Sequence, residues 1–164
     1  MAVEQQSIPT PALALGLGGL IPFISSAVLV WWSQPLAELL PSWIIQQRST
    51  TQLATLALGG YGAVILSFLG GVRWGNLLFD RASLRQWTPL ALSVLPSLIA
   101  WAALLLEPVP MLALLAAGFT LQYALDVYAE RRGELPAWFV KLRLILTSGA
   151  IASVLVGMLG NALG

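Results

Sequence analysis

The stretch YGAVILSFLGGVRWG, Tyr61 to Gly75, decides the fold. It sits inside a longer apolar segment, Thr51 to Phe79, with a small residue at every fourth position: Gly59, Ala63, Ser67, Gly71 and Gly75. Such a ridge lets a second helix backbone come close, the small-xxx-small packing of membrane helices. The same segment carries Arg73, a permanent cation that is expensive among apolar residues unless water or a partner reaches it. A long apolar strut with a packing ridge and one anomalous charge predicts an all-α integral membrane protein.

Composition outside the strut agrees. Of 164 residues, 58% are hydrophobic and 9% charged, against about 25% charged in soluble domains. The mean hydropathy is +0.84, and stretches long enough to span a bilayer fill most of the chain. A formal net charge of +1 offers no basic face, so no nucleic-acid partner is expected. Cysteine and histidine are both missing. That removes disulfides, thiol chemistry, imidazole catalysis and the usual zinc or haem ligands. No cofactor or metal is expected.

Five spans are predicted in one membrane domain, at about 10–32, 52–79, 88–106, 111–128 and 139–162. Ser25-Ser26-Ala27 resembles a cleavage site, but no Lys or Arg precedes the first apolar run, so retention as a membrane helix is the expectation. Pro22 breaks the first span by freeing the Gly18 carbonyl, and Pro96 breaks the third by freeing that of Leu92. Ser93 and Ser97 are nearby donors for the second break. Between spans one and two, Leu36, Leu39, Leu40, Trp43 and Ile44 suggest an interfacial loop or short helix. The fifth span has a ridge of its own, Gly149, Ser153 and Gly157, the expected partner of Gly71 and Gly75. On that basis Ile65 is expected to face elsewhere.

Basic residues set the orientation. Arg81, Arg85, Arg131, Arg132, Lys141 and Arg143 fall on the side of the N-terminus, with only Arg48 opposite. The bundle is therefore expected N-in and C-out.

The residues also resemble a known family. Gly18 to Phe23, Tyr61-Gly62 through Ser67 to Gly75, and Ser93 to Leu98 are similar to the transmembrane protein 69 family. Leu135-Pro136, Trp138, Leu142-Arg143 and Leu146-Thr147 fit the same pattern. The resemblance implies a small multi-span protein of a bacterial inner membrane or of mitochondria, of unknown function. It brings no catalytic or binding residues.

What chemistry remains lies in one candidate polar cluster: Arg73, Asp126, Gln122 and Asn76. Arg73 and Asp126 lie at similar depth near the same side, and pairing would offset the cost of each. The pair is read first as an ion pair fixing helix register. Snorkelling of Arg73 and a charge in a conduction or proton path are the alternatives. No second interior carboxylate, P-loop, Rossmann fingerprint, HExxH or GxSxG motif is present, so no enzyme is expected. The favoured function is a structural, assembly or interaction subunit, its partners the bilayer and other membrane subunits or a second copy. The alternative is a small transporter or channel. A cavity reaching Arg73 and Asp126 from one side would favour transport; dry packing there would favour structure.

Overall fold

The computed structural model describes residues 7–32, 34–45, 48–78 and 87–163, and all regular structure in them is helical. Phe79, Asp80, Arg81 and Arg85, and the side chains of Leu36 and Trp43, lie outside the described residues. Among the described residues, four stretches are long and apolar enough to cross a membrane: Thr10–Trp31, Thr50–Leu77, Pro108–Arg131 and Ala137–Leu163. A fifth apolar helix, Trp87–Ala103, has 17 residues, or about 25 Å against a hydrocarbon core of about 30 Å.

The first stretch is two helices, α1 (Thr10–Gly18) and α2 (Ile21–Trp31). The break falls earlier than Pro22 suggested. Gly19 caps α1, and Pro22 sits in the first turn of α2, where its missing N–H costs nothing. The carbonyl served by a neighbour is that of Gly19, which accepts from the Tyr61 hydroxyl at 2.9 Å. Two short helices follow, α3 (Gln34–Leu39) and α4 (Ser42–Ile45). Leu39 is exposed, while Leu40 and Ile44 are half-buried.

Helix α5 (Thr50–Leu77) begins two residues before the predicted 52, because Ser49 and Gln52 form a reciprocal capping box. It packs most extensively on α6 (Trp87–Ala103), while α7 (Pro108–Arg131) packs most extensively on α8 (Ala137–Leu163). Helix α2 lies against both α5 and α8. Phe23, Leu58, Leu66, Leu112, Leu115, Phe119 and Val154 fill the centre, with Phe23 edge-on to Tyr61 and to Phe119.

The buried face of α5 corrects the expected ridge. Residues four apart advance about 400° at 3.6 residues per turn, so a strict four-residue ridge drifts about 40° per step. Gly59 and Ala63 are buried, Ser67 is half-buried, and by Gly71 the ridge has turned outward. A side chain at Gly71 or Gly75 would meet no described atom within 4 Å. The close approach is one residue earlier, where a Cβ on Gly70 would stand 2.5 Å from the Ser93 carbonyl oxygen and 3.5 Å from Pro96. Gly149 and Gly157 on α8 face the Leu20 and Leu58 side chains instead of Gly71 and Gly75. Ile65 is partly buried against the core rather than turned away from it.

Candidate functional site

The site is built by a hairpin. Two residues past the end of α7 stands Gly133, whose φ of +75° only glycine adopts without strain. Gly133 N–H donates to the Glu130 carbonyl and Glu134 N–H to that of Ala129, the paired bonds of a Schellman ending. Pro136 then stands just ahead of α8. This turn fixes the register of α7 on α8. Asp126 lies eight residues before and Arg143 nine after Glu134, the middle of the 132–136 connection, so the antiparallel fold brings them nearly level.

Arg143 Nε donates to Asp126 Oδ2 at 2.9 Å, with both side chains under 10% exposed. One turn along α7, Gln122 Nε2 donates to Asp126 Oδ1, also at 2.9 Å. The expected partner of Asp126 is thereby corrected: the ion pair is with Arg143. Helix α8 begins at Ala137, two residues before the predicted 139, which puts Arg143 about 9 Å inside it. Arg73 is half-buried and acts on Asp126 through space without an ion-pair contact. Asn76 is exposed towards the same end.

These residues surround a cavity of about 260 Å³. Arg73, Asn76, Thr88, Gln122, Asp126 and Glu134 are among its walls. Its charges are largely paired at the rim as well as the floor, since Arg132 bonds Glu134 at 2.7 Å. The Tyr128 hydroxyl, then Glu134, push the pKa of Arg132 above its ordinary value, so that cation is permanent. Arg73 is the one charged wall residue without an ion pair among the described residues.

Among the described residues, three buried polar side-chain atoms have no partner: Gln122 Oε1, Arg143 Nη2 and Thr147 Oγ1. All three belong to the Asp126 region, and buried groups left unpaired are uncommon enough to need an account. The expected breaks resolve differently. Helix α6 runs through Pro96, and the Ser93 hydroxyl bonds the Leu90 carbonyl at 2.6 Å instead of that of Leu92. No group of three or more metal-ligating side chains occurs among the described residues.

Comparison with known proteins places the chain. It is 38% identical over 159 residues to Transmembrane protein 69 of Xenopus tropicalis, covering 94% of this chain and 55% of the relative. It is 33% identical over 152 residues to Transmembrane protein 69 of Mus musculus, covering 92% of this chain and 56% of that protein. The chain thus spans about half the length of the curated relatives it matches. No solved structure matches. With several long apolar helices and membrane-protein relatives, it is a multi-pass membrane protein. Residues 8–159 match the model of a family described as a protein of unknown function, DUF3429, and the chain belongs to that family.

Proposed function

We propose that this chain is a small transporter or channel that admits a polar solute from one side as far as the Asp126–Arg143 pair. The supporting observation is the cavity of about 260 Å³ that holds Arg73, Asn76, Gln122 and Asp126 in its walls. A subunit with a purely architectural role has no need to hollow out the only buried carboxylate among the described residues. The sole ion-unpaired charge described in the walls is cationic, which suits an anionic or strongly dipolar solute. The same reading takes α6 as a short fifth span, with the N-terminus inside and the C-terminus outside. It puts the chain in a bacterial inner membrane or the mitochondrial inner membrane, and it involves no catalysis.

The chain has no cysteine, so single cysteines report water access cleanly. Asn76→Cys and Thr88→Cys should react with an impermeant maleimide added on the N-terminal side, while Leu58→Cys should not. Protection of both cavity positions in folded protein would end the solute reading. A reporter fused after Gly164 should read the outside; a cytoplasmic signal there would remove the five-span topology.

A second reading, that of an assembly or interaction subunit, is favoured by one observation. Gly71 and Gly75 present the outward half of the ridge with open space beyond each, where a helix of another subunit or a second copy fits. Crosslinking through Gly75→Cys in native membranes tests it, and a monomer-only pattern counts against it.

A further inference from the structure

Two cavities adjoin the Asp126–Arg143 pair, and they differ in what their walls offer a ligand. The second, of about 280 Å³, lies where the α1–α2 break meets α5, α7 and α8. Its side chains are apolar apart from Arg143 and Thr147, whose unpartnered Nη2 and Oγ1 atoms are sealed off and do not open into it. The first cavity, between α5, α6 and the α7–α8 hairpin, holds a donor that is both free and reachable. The Arg73 guanidinium makes no hydrogen bond or ion pair among the described residues, yet none of its nitrogens is sealed off. Asn76, three residues along α5 and so on the same face, lines this cavity too, as does Thr88 from α6. Leu69, Leu92, Leu135 and Phe139 give it an apolar wall.

We infer that the first cavity binds a small aliphatic monocarboxylate, its carboxylate on Arg73 and its chain along the apolar wall. The inference deepens the solute reading and rests on it for the route of entry. Charge fixes the number of anionic groups. The Asp126–Arg143 and Arg132–Glu134 pairs are each neutral as a unit, so Arg73 leaves a single positive charge to answer. A second negative charge, as on a phosphate monoester or a dicarboxylate, would meet Asp126 or Glu134 in the same walls. Geometry selects the group, because the planar guanidinium fork matches a carboxylate through two parallel hydrogen bonds. The apolar wall selects an alkyl body, each buried CH₂ being worth about fourfold in affinity. Arg73 stands four residues, about 6 Å, before the end of α5, and Leu69 lies one turn deeper. The charged end of the ligand therefore lies outward and the chain inward. A volume of about 260 Å³ falls short of the roughly 300 Å³ at which pockets for drug-sized ligands begin, so a short chain fits and a two-chain lipid does not.

The test uses the full chain in phosphatidylcholine nanodiscs with radiolabelled hexanoate, read against empty nanodiscs. Adipate, which adds a second carboxylate, and hexylamine, of opposite charge, should each compete at least about tenfold less well than hexanoate. Acetate, which lacks the chain, should do the same. Arg73→Gln should weaken hexanoate binding about tenfold or more, the worth of a hydrogen bond to a charged group, and Arg73→Lys should restore most of it. Equal competition by adipate or hexylamine, no binding above empty nanodiscs, or unchanged affinity in Arg73→Gln overturns the proposal. Loss of hexanoate binding in phosphatidylglycerol nanodiscs would give the site to an anionic lipid headgroup and overturn it too. If Arg73→Gln does not fold, the competitor series on the unaltered chain decides alone. Maleimide labelling at Asn76→Cys and Thr88→Cys keeps the two readings apart. Labelling without hexanoate binding sinks this inference and spares the solute path, whereas hexanoate binding with both positions protected sinks the path and leaves the site.

Discussion

The two ends of the bundle treat buried polar groups in opposite ways. Where α5 begins and α8 ends, no buried side-chain polar atom among the described residues lacks a partner. Thr55 and Asn161 bond one another across the helices, Asn161 also donates to the Gly157 carbonyl, and Trp31 Nε1 donates to the Val156 carbonyl at 3.0 Å. Where α7 turns into α8, a buried ion pair sits between two cavities and leaves three polar atoms unpartnered. In lipid an unsatisfied group has no water to fall back on. The closed end is what helix association alone produces, modest hydrogen bonds and small residues at the contacts. An open end made from the same helices carries a cost without architectural return, and that contrast directs the search for function to Asp126, Arg143 and Thr147.

The strongest way to break the comparison is at the pair. Removing one partner of a buried ion pair costs about 3–5 kcal/mol, because the other charge is left uncompensated. Asp126→Ala and Arg143→Ala should each destabilise by that order in a denaturant titration, and the double variant should recover much of it. Arg73→Ala should change stability by less than about 1 kcal/mol, since it holds no ion pair among the described residues. A large coupling between positions 73 and 126, with none between 143 and 126, would reverse the assignment of the partner.

Next in size are two adjacent glycines that differ only in what faces them. Gly70→Leu drives a side chain into the Ser93 backbone, whereas at Gly71 there is open space. Overpacking costs about 1–3 kcal/mol, so Gly70→Leu should lower the melting temperature clearly and Gly71→Leu should not. Equal loss at both would mean that the outward face of α5 is already covered.

The glycines and the pair show what the sequence disclosed and what it withheld. Apolar length alone marks the membrane helices, and the polar residues between them mark most of the turns. Side-chain direction was harder: a ridge repeating at four reads as one face until the 3.6-residue turn is applied over three steps, which separates Gly59 from Gly71 by about 120°. The Ser49–Gln52 capping box was readable three residues before the predicted start of the second span. Arg143 was present but was counted only among the basic residues that set the orientation, not as a partner for Asp126. The turn around Gly133 held the missing signal, since a tight antiparallel hairpin pairs residues equidistant from its midpoint. The cavities left no mark in sequence. The first lies between α5, α6 and the α7–α8 hairpin, the second where the α1–α2 break meets α5, α7 and α8, a property of packing rather than of any segment.

Between the two ends lies the break itself. Tyr61→Phe removes the donor to the Gly19 carbonyl and leaves that acceptor without this bond. The expected loss is about 1 kcal/mol, read as a lower melting temperature, with Phe23 still edge-on to the unaltered ring. An unchanged melting temperature would show that water or lipid already serves the carbonyl.

The smallest effect is the most discriminating, because one substitution is made at both ends. Thr→Val keeps the shape of the side chain and removes the hydroxyl. Thr55 is fully buried and bonds Asn161 and the Thr51 carbonyl. Interhelical side-chain hydrogen bonds in membrane proteins average about 0.6 kcal/mol, so Thr55→Val should cost roughly that much. Thr147 is buried to a similar degree, yet its hydroxyl bonds nothing among the described residues. Replacing an unsatisfied polar group by an apolar one of the same shape relieves a desolvation penalty, so Thr147→Val should be neutral or stabilising. Paired unfolding titrations in the same detergent read the difference directly. Opposite signs would establish that one end of this bundle is selected for packing and the other for something that packing does not require; equal losses would mean that Thr147 has a structural partner after all, and the distinction between the two ends would fall.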